Sequence, residues 1–192
     1  MSKSRIEAFS DGVIAIIITI MVLEMKVPHG ATFEALLPII PVFLSYILSF
    51  VYLGIYWNNH HHLLHAAKSP TAAIMWANLH LLFWLSLIPF VTGWLGEHHD
   101  SALPMALYGF VLLCSAVAYF ILQGFVISGH GEDSPLAKAV GSDWKGKSSV
   151  VCYAISIPMA FYSPAVSVAM YVLIAVLWLV PDRRMEAAFK RG

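Results

Sequence analysis

Long stretches without charged side chains dominate the chain. Five windows contain no Asp, Glu, Lys or Arg, and they cover residues 12–23, 35–67, 69–96, 101–131 and 148–181. A helix needs about 20 largely apolar residues to cross the roughly 30 Å hydrocarbon core of a bilayer, and each of the longer windows can hold at least one such helix. The pattern therefore predicts an all-α, polytopic membrane protein.

Proline and glycine residues divide these windows into individual helices. The last window could hold one long kinked helix or a hairpin of two short ones, and Pro158 and Pro164 favour the hairpin because proline disrupts a helix interior. We therefore predict one domain over residues 1–192 with six transmembrane helices, near residues 4–25, 34–66, 71–95, 103–127, 148–162 and 164–180.

The distribution of basic residues supports an even number of helices, because Lys and Arg in short loops stay on the cytoplasmic side. With six helices and both termini in the cytoplasm, Lys26 is the only basic residue outside. A five-helix arrangement would move the basic C-terminal segment outside. The residues predicted inside are Lys3, Arg5, Lys68, Lys138, Lys145, Lys147, Arg183, Arg184, Lys190 and Arg191.

Composition agrees with a membrane protein and excludes several functions. The chain is 59% hydrophobic and 11% charged, whereas about a quarter of residues are charged in a typical soluble domain. No basic, aromatic-rich stretch indicates nucleic-acid binding, and no nucleophile or carboxylate pair is spaced for catalysis. Cys114 and Cys152 lie in apolar windows and are interpreted as small buried residues. We expect no enzyme activity and no cofactor.

The first helix is unusual because its apolar part is short. Only the 12 residues between Asp11 and Glu24 are uncharged, which corresponds to about 18 Å of helix. Charged groups at membrane depth usually face protein or water, so this helix is expected inside an assembly. Helical spacing places four side chains in one stripe, which ordinary helix packing would also explain: Ile16, Thr19, Ile20 and Leu23.

Polar residues cluster at the start of this helix, and the topology brings other polar residues to the same side of the membrane. A buried carboxylate needs hydrogen-bond donors. Arg5 is the most plausible partner of Asp11, and further candidates are supplied by the second and third helices: Trp57, His60 and Asn78.

Two other classes of function remain open at this point. His60, His61, His62 and His65 suggest a metal-binding membrane protein, although no Cys, Asp or Glu nearby completes a tetrahedral set. A secondary transporter would need internal repeats or broken helices around a central site, and the sequence contains no internal repeat.

The motif that begins at Arg5 is recognisable. It reads Arg-x-x-x-Phe-Ser-Asp-Gly-Val-x-Ala-Ile and includes Phe9, Ser10 and Asp11, and it resembles the signature of the endolysosomal potassium-channel family known as transmembrane protein 175, in its prokaryotic branch. Residues 57–60 and 78–90 are similar to that family's second and third helices, so the motifs cover about half of the chain.

The resemblance implies a homotetrameric, potassium-permeable channel, and we expect it in the cell inner membrane, surrounded by lipid. The first helix of each subunit would line the pore, with Ile16 as the main constriction, followed by Ile20 and Leu23, and with Thr19 offering hydroxyl groups to a potassium ion. The chain has no Thr-Val-Gly-Tyr-Gly filter, so modest selectivity for potassium over sodium is expected. A network holding the pore helix would consist of Arg5, Phe9, Ser10, Asp11, Trp57, His60 and Asn78.

Overall fold

The computed structural model describes residues 2–129 and 143–180. Within these ranges the chain is all-helical, as predicted, and forms seven α-helices and one 3-10 segment. The basic residues Lys138, Arg183, Arg184, Lys190 and Arg191 lie outside the described ranges. The elements are α1 (Lys3–Leu23), the 3-10 segment (Phe33–Ile39), α2 (Ile40–Ala66), α3 (Ala72–Ser86), α4 (Ile88–Glu97), α5 (Ala102–Ser128), α6 (Trp144–Met159) and α7 (Pro164–Leu179).

The third predicted helix is broken at Leu87, which separates α3 from α4. Pro89 lies in the first turn of α4. Proline lacks a backbone N–H and its ring clashes with the carbonyl group four residues earlier, so a continuous α-helix through this position is disfavoured. The two pieces still form one apolar span over Ala72–Glu97. We call each such continuous or broken helical segment a rod, and the described part of the chain has six rods: α1, the 3-10 segment with α2, α3 with α4, α5, α6 and α7.

Four rods are long and apolar enough to cross a membrane, and they cover Lys3–Leu23, Phe33–Ala66, Ala72–Glu97 and Ala102–Ser128. The last two rods, α6 and α7, are the short hairpin that the prolines predict. α6 begins at Trp144, earlier than expected, because the Asp143 side chain accepts a hydrogen bond from the Gly146 N–H at 2.9 Å and caps the helix.

Buried tyrosines connect the centre of the bundle. The Tyr52 hydroxyl of α2 donates to the Tyr171 carbonyl of α7 at 2.6 Å, and the Tyr171 hydroxyl donates to the Met105 carbonyl of α5 at 3.1 Å. The Ser49 hydroxyl lies 3.0 Å from that of Tyr108. Buried polar groups need such partners, and these bonds fix α2, α5 and α7 relative to one another.

α1 packs against α2, α3 and α4 with only one of its sides. We call the end of the bundle that carries the start of α1, the end of α2 and the start of α3 the inner end, and the opposite end the outer end. The buried side of α1 follows helical spacing and consists of Ile6, Ser10, Ile14, Ile17 and Met21. The other side of α1 is left uncovered by the part of the chain that the structure describes.

Candidate functional site

The aliphatic stripe identified in the first helix lies on the uncovered side of α1. Ile16 is 58% exposed, Ile20 is 40% exposed and Leu23 is 79% exposed. Thr19 is exposed between them, and its hydroxyl donates to the Ile16 carbonyl at 2.9 Å. That bond leaves the hydroxyl oxygen able to accept a hydrogen bond or to contact a cation.

The small residues beside this stripe are also uncovered. Gly12 and Ala15 are exposed, and a Cβ atom added to Gly12 would have nothing within 4 Å. Small side chains allow another helix to approach closely in a membrane. Among residues 2–129 and 143–180, therefore, no helix packs closely against Gly12 and Ala15 on this side of α1.

A chain of buried hydrogen bonds holds the inner end of α1. The Asn78 amide group of α3 donates to the Ser10 hydroxyl at 2.9 Å, and the Ser10 hydroxyl donates to the Ile6 carbonyl at 2.8 Å. His60 Nε2 of α2 lies 2.6 Å from the Asn78 side-chain oxygen. That oxygen can only accept, so the Nε2 atom carries the hydrogen. Three helices are therefore joined through Ser10, Asn78 and His60, all of which are buried.

A second contact joins α1 to α2 on the exposed side of this chain of bonds. The Trp57 indole N–H donates to an Asp11 carboxylate oxygen at 3.1 Å. The expected pairing of Asp11 with Arg5 is not present, since the ion pairs within residues 2–129 and 143–180 include neither residue. Arg5 and Asp11 are six positions apart, about 240° around the helix axis, so their side chains point in different directions.

The other two residues of the predicted network, Arg5 and Phe9, are exposed and take no part in these bonds. Two further features at this end were not predicted from the sequence. Lys3 Nζ donates to the His65 carbonyl, which ties the start of α1 to the end of α2. The Glu7 Oε1 atom is buried and has no hydrogen-bond partner among the described residues. Nothing in the sequence around Glu7, two residues after the motif arginine, indicates that its carboxylate is buried.

The outer end of α1 opens on a cleft of about 1000 Å³ between α1, the start of α2 and α4. Its rim carries Glu24 together with an ion pair between Lys26 and Glu97, whose Nζ and Oε1 atoms are 2.6 Å apart. The hydrogen bond and the negative charge of Glu97 raise the pKa of Lys26. Lys26, the only basic residue predicted outside, is therefore neutralised by Glu97. Glu24 adds a further negative charge, which makes the rim acidic.

The histidine-rich end of α2 is divided by the helical rotation. His60 is buried in the hydrogen-bonded chain, whereas His61, His62 and His65 are exposed. Within the part of the chain that the structure describes, no group of three or more His, Cys, Asp or Glu side chains is assembled for a metal ion.

Comparisons with known proteins identify the family. Residues 5–89 match the family described as endosomal/lysosomal potassium channel TMEM175, a range that contains the Arg5 motif and the residues of the hydrogen-bonded chain. A protein of Chryseobacterium sp. (strain P1-3) named as a potassium channel is 52% identical over 192 residues, 100% of both chains. A second potassium channel, from Streptomyces collinus, is 32% identical, with 97% of each chain covered.

The fold is shared with a solved structure. The chain superimposes with a TM-score of 0.80 and 27% identity on the crystal structure of a lysosomal potassium-selective channel TMEM175 homolog from Chamaesiphon minutus, covering 93% of this chain and 96% of that one. The family consists of channels, not enzymes. Since a relative more than half identical matches along the full length and the fold agrees, the chain belongs to the TMEM175 family.

Proposed function

We propose that the chain is one subunit of a potassium-permeable channel in which four copies place α1 around a central pore. The observation that carries this proposal is the aliphatic stripe of Ile16, Ile20 and Leu23, which is exposed along one side of a helix whose other side is buried. The names of the bacterial relatives and of the matched structure support potassium as the permeant ion.

The length of α1 argues that its exposed side does not face lipid. The uncharged part between Asp11 and Glu24 covers only about 18 Å, against a hydrocarbon core of about 30 Å. Neighbouring subunits and water provide an environment in which such a short helix with charged ends is acceptable. Placing the exposed aliphatic stripe at the axis of an assembly keeps this side of α1 away from lipid and lets the charged ends of the short helix contact protein or water.

Ile16, Ile20 and Leu23 would form successive apolar rings along the pore. An apolar constriction narrow enough to lose its water also stops ions, so these rings act as a hydrophobic gate. Thr19 lies between the first two rings and can offer its hydroxyl oxygen to a partly dehydrated ion. Selectivity for potassium over sodium is then modest, because potassium gives up its hydration water more easily and no cage of backbone carbonyls is involved.

The buried bonds at the inner end would set the rotation of α1. Ser10, Asn78 and His60 connect α1 to two other helices of the same chain, so each subunit presents its stripe in a fixed direction. Arg5 and Phe9 are exposed in the single chain and are assigned to contacts between subunits at this end. The proposed location is the cell inner membrane, with both termini in the cytoplasm, as the distribution of basic residues indicates.

Reconstitution in a planar bilayer tests this function. The purified protein should give unitary currents whose reversal potential under potassium and sodium gradients indicates a modest preference for potassium. Replacing Ile16 with Asn should increase the conductance and reduce that preference, because a polar ring stays hydrated. Replacing Val22 with Asn is the matched control, since Val22 is also an exposed aliphatic residue of α1 but does not belong to the stripe.

Three results would contradict parts of the proposal. Flux without unitary currents would indicate a carrier instead of a channel. Equal currents and permeability ratios in the Ile16 variant and the wild type would remove Ile16 from the constriction. Native mass spectrometry that finds no tetramer would remove the four-fold arrangement, whatever the current.

A further inference from the structure

Two histidines at the end of α2 form an exposed pair that the proposed channel function does not use. His61 and His65 are one helical turn apart on the same face of α2 and are both exposed. The neighbouring His60 points the other way and is occupied by its bond to Asn78. The run of histidines therefore contains two different parts, one internal and one facing outward.

The rings of the outward pair lie close together and nearly parallel. The ring centres of His61 and His65 are 6.2 Å apart and their planes differ by 17°. One turn earlier, the Trp57 ring stacks on His61 at 6.4 Å and 29°. Three ring side chains therefore follow one another along a single face, and the two imidazoles lie side by side.

We infer that His61 and His65 form a chelating site for a late first-row divalent metal ion such as Zn²⁺, Ni²⁺ or Cu²⁺. Neutral imidazole is a preferred ligand of these ions, and two histidines four residues apart on a helix are spaced to bind one ion together, as in the helical zinc motif of metalloproteases. Because both side chains are exposed, water can complete the coordination sphere.

The geometry requires only a small adjustment. With metal–nitrogen distances of about 2.1 Å and a tetrahedral angle at the ion, the two ring centres come to about 5 Å apart. The observed 6.2 Å is therefore closed by rotating exposed side chains, with no movement of the helix. Since no carboxylate joins the pair in the described part of the chain, Ca²⁺ and Mg²⁺, which prefer oxygen ligands, should not bind there.

The position of the pair suggests an effect on the inner end of α1. Trp57, which stacks on His61, donates to Asp11, and the carbonyl of His65 accepts from Lys3. A metal ion bound across this turn would stiffen the last turns of α2, to which α1 is attached twice. This inference does not depend on ion conduction and can be tested on the protein without measuring currents.

Isothermal titration of the purified full-length protein, carrying no polyhistidine tag and stripped with EDTA, tests the site with ZnCl₂, NiCl₂ and MgCl₂. We expect one Zn²⁺ or Ni²⁺ per chain and no Mg²⁺. His61→Ala and His65→Ala should each weaken Zn²⁺ binding by about tenfold or more, because the second tethered ligand is lost. His99→Ala, which removes an exposed histidine next to Asp100 at the outer end, should leave the affinity within about twofold.

Unchanged Zn²⁺ affinity in the His61 and His65 variants would overturn the assignment, as would an equal loss in the His99 variant. A loss of binding in His62→Ala as large as in His65→Ala would also overturn it, because the site would then involve a different pair. Size-exclusion profiles of all variants should match the wild type, since these side chains are exposed, and a change confined to the His61 and His65 variants would mean that the pair has a structural role instead.

Discussion

Removing the Asn78 side chain should destabilise the protein, because this one amide group joins α1 to α2 through α3. Asn78 donates to Ser10 and accepts from His60, and all three residues are buried. In Asn78→Ala both bonds are lost. Ser10 still donates to the Ile6 carbonyl, so the group left without a partner is mainly the His60 N–H.

The size of the effect follows from these bonds. A buried hydrogen bond contributes about 0.5–1.5 kcal/mol net, and an unsatisfied buried donor costs about 1–3 kcal/mol. Asn78→Ala should therefore lower the free energy of unfolding by about 2–4 kcal/mol. For a chain of this length each kcal/mol corresponds to about 2–4 °C, so the melting temperature should fall by about 5–15 °C.

Melting temperatures of detergent-purified variants test this estimate. Asn58→Ala is the matched control, because Asn58 is exposed on α2 and the same atoms are removed; its melting temperature should change by less than about 2 °C. Ser10→Ala and the Ser10→Ala, Asn78→Ala double variant complete a mutant cycle, in which bonded residues show a coupling of about 0.5–3 kcal/mol. Additive effects in the cycle, or equal melting temperatures for the Asn78 and Asn58 variants, would refute the reasoning.

Two further predictions concern the packing and the rim at the outer end, and they use three substitutions. Gly96→Ala should lower the free energy of unfolding by about 1–3 kcal/mol, because its Cβ atom would lie 2.7 Å from the Val42 Cα atom. The control Gly124→Ala, whose added Cβ atom would have nothing within 4 Å, should be neutral or stabilising. Equal melting temperatures for the two variants would contradict the close contact at Gly96. Lys26→Gln should leave the melting temperature within about 2 °C of the wild type, because its ion pair with Glu97 is exposed, and a larger fall would show that this pair holds the rim together.

Hydropathy and charge were sufficient to predict the helices, because a membrane requires long uncharged segments and the prolines of the last window mark a hairpin. The break at Leu87 was not predicted, although Pro89 was visible. Membrane helices often tolerate proline when neighbouring groups satisfy the freed backbone, so the residue alone does not distinguish a kink from a break. The packing of α4 against α2 and α1 determines that outcome.

The partners of the inner polar cluster were only partly predictable. The sequence indicated that Asp11 needs a donor and offered several, among which Arg5 was preferred. The choice of Trp57 depends on how α2 lies against α1, which no local pattern contains. The separation of the exposed pair His61 and His65 from the buried His60 was available in principle, because rotation along a helix divides the run once the direction of His60 is known.

The two sides of α1 are linked because they belong to one rigid helix. Neighbouring residues of a helix are about 100° apart, so a rotation of α1 by one position would bring Ile17 to the place of Ile16 and Ile20 to the place of Thr19. The first exchange retains an isoleucine, but the second replaces a hydroxyl layer with an aliphatic one. The buried bond from Asn78 to Ser10 opposes such a rotation. If the stripe lines a pore, a variant that loosens this bond should change the potassium-to-sodium permeability ratio more than it changes the width of the constriction, although Ser10 and Asn78 are buried on the other side of α1.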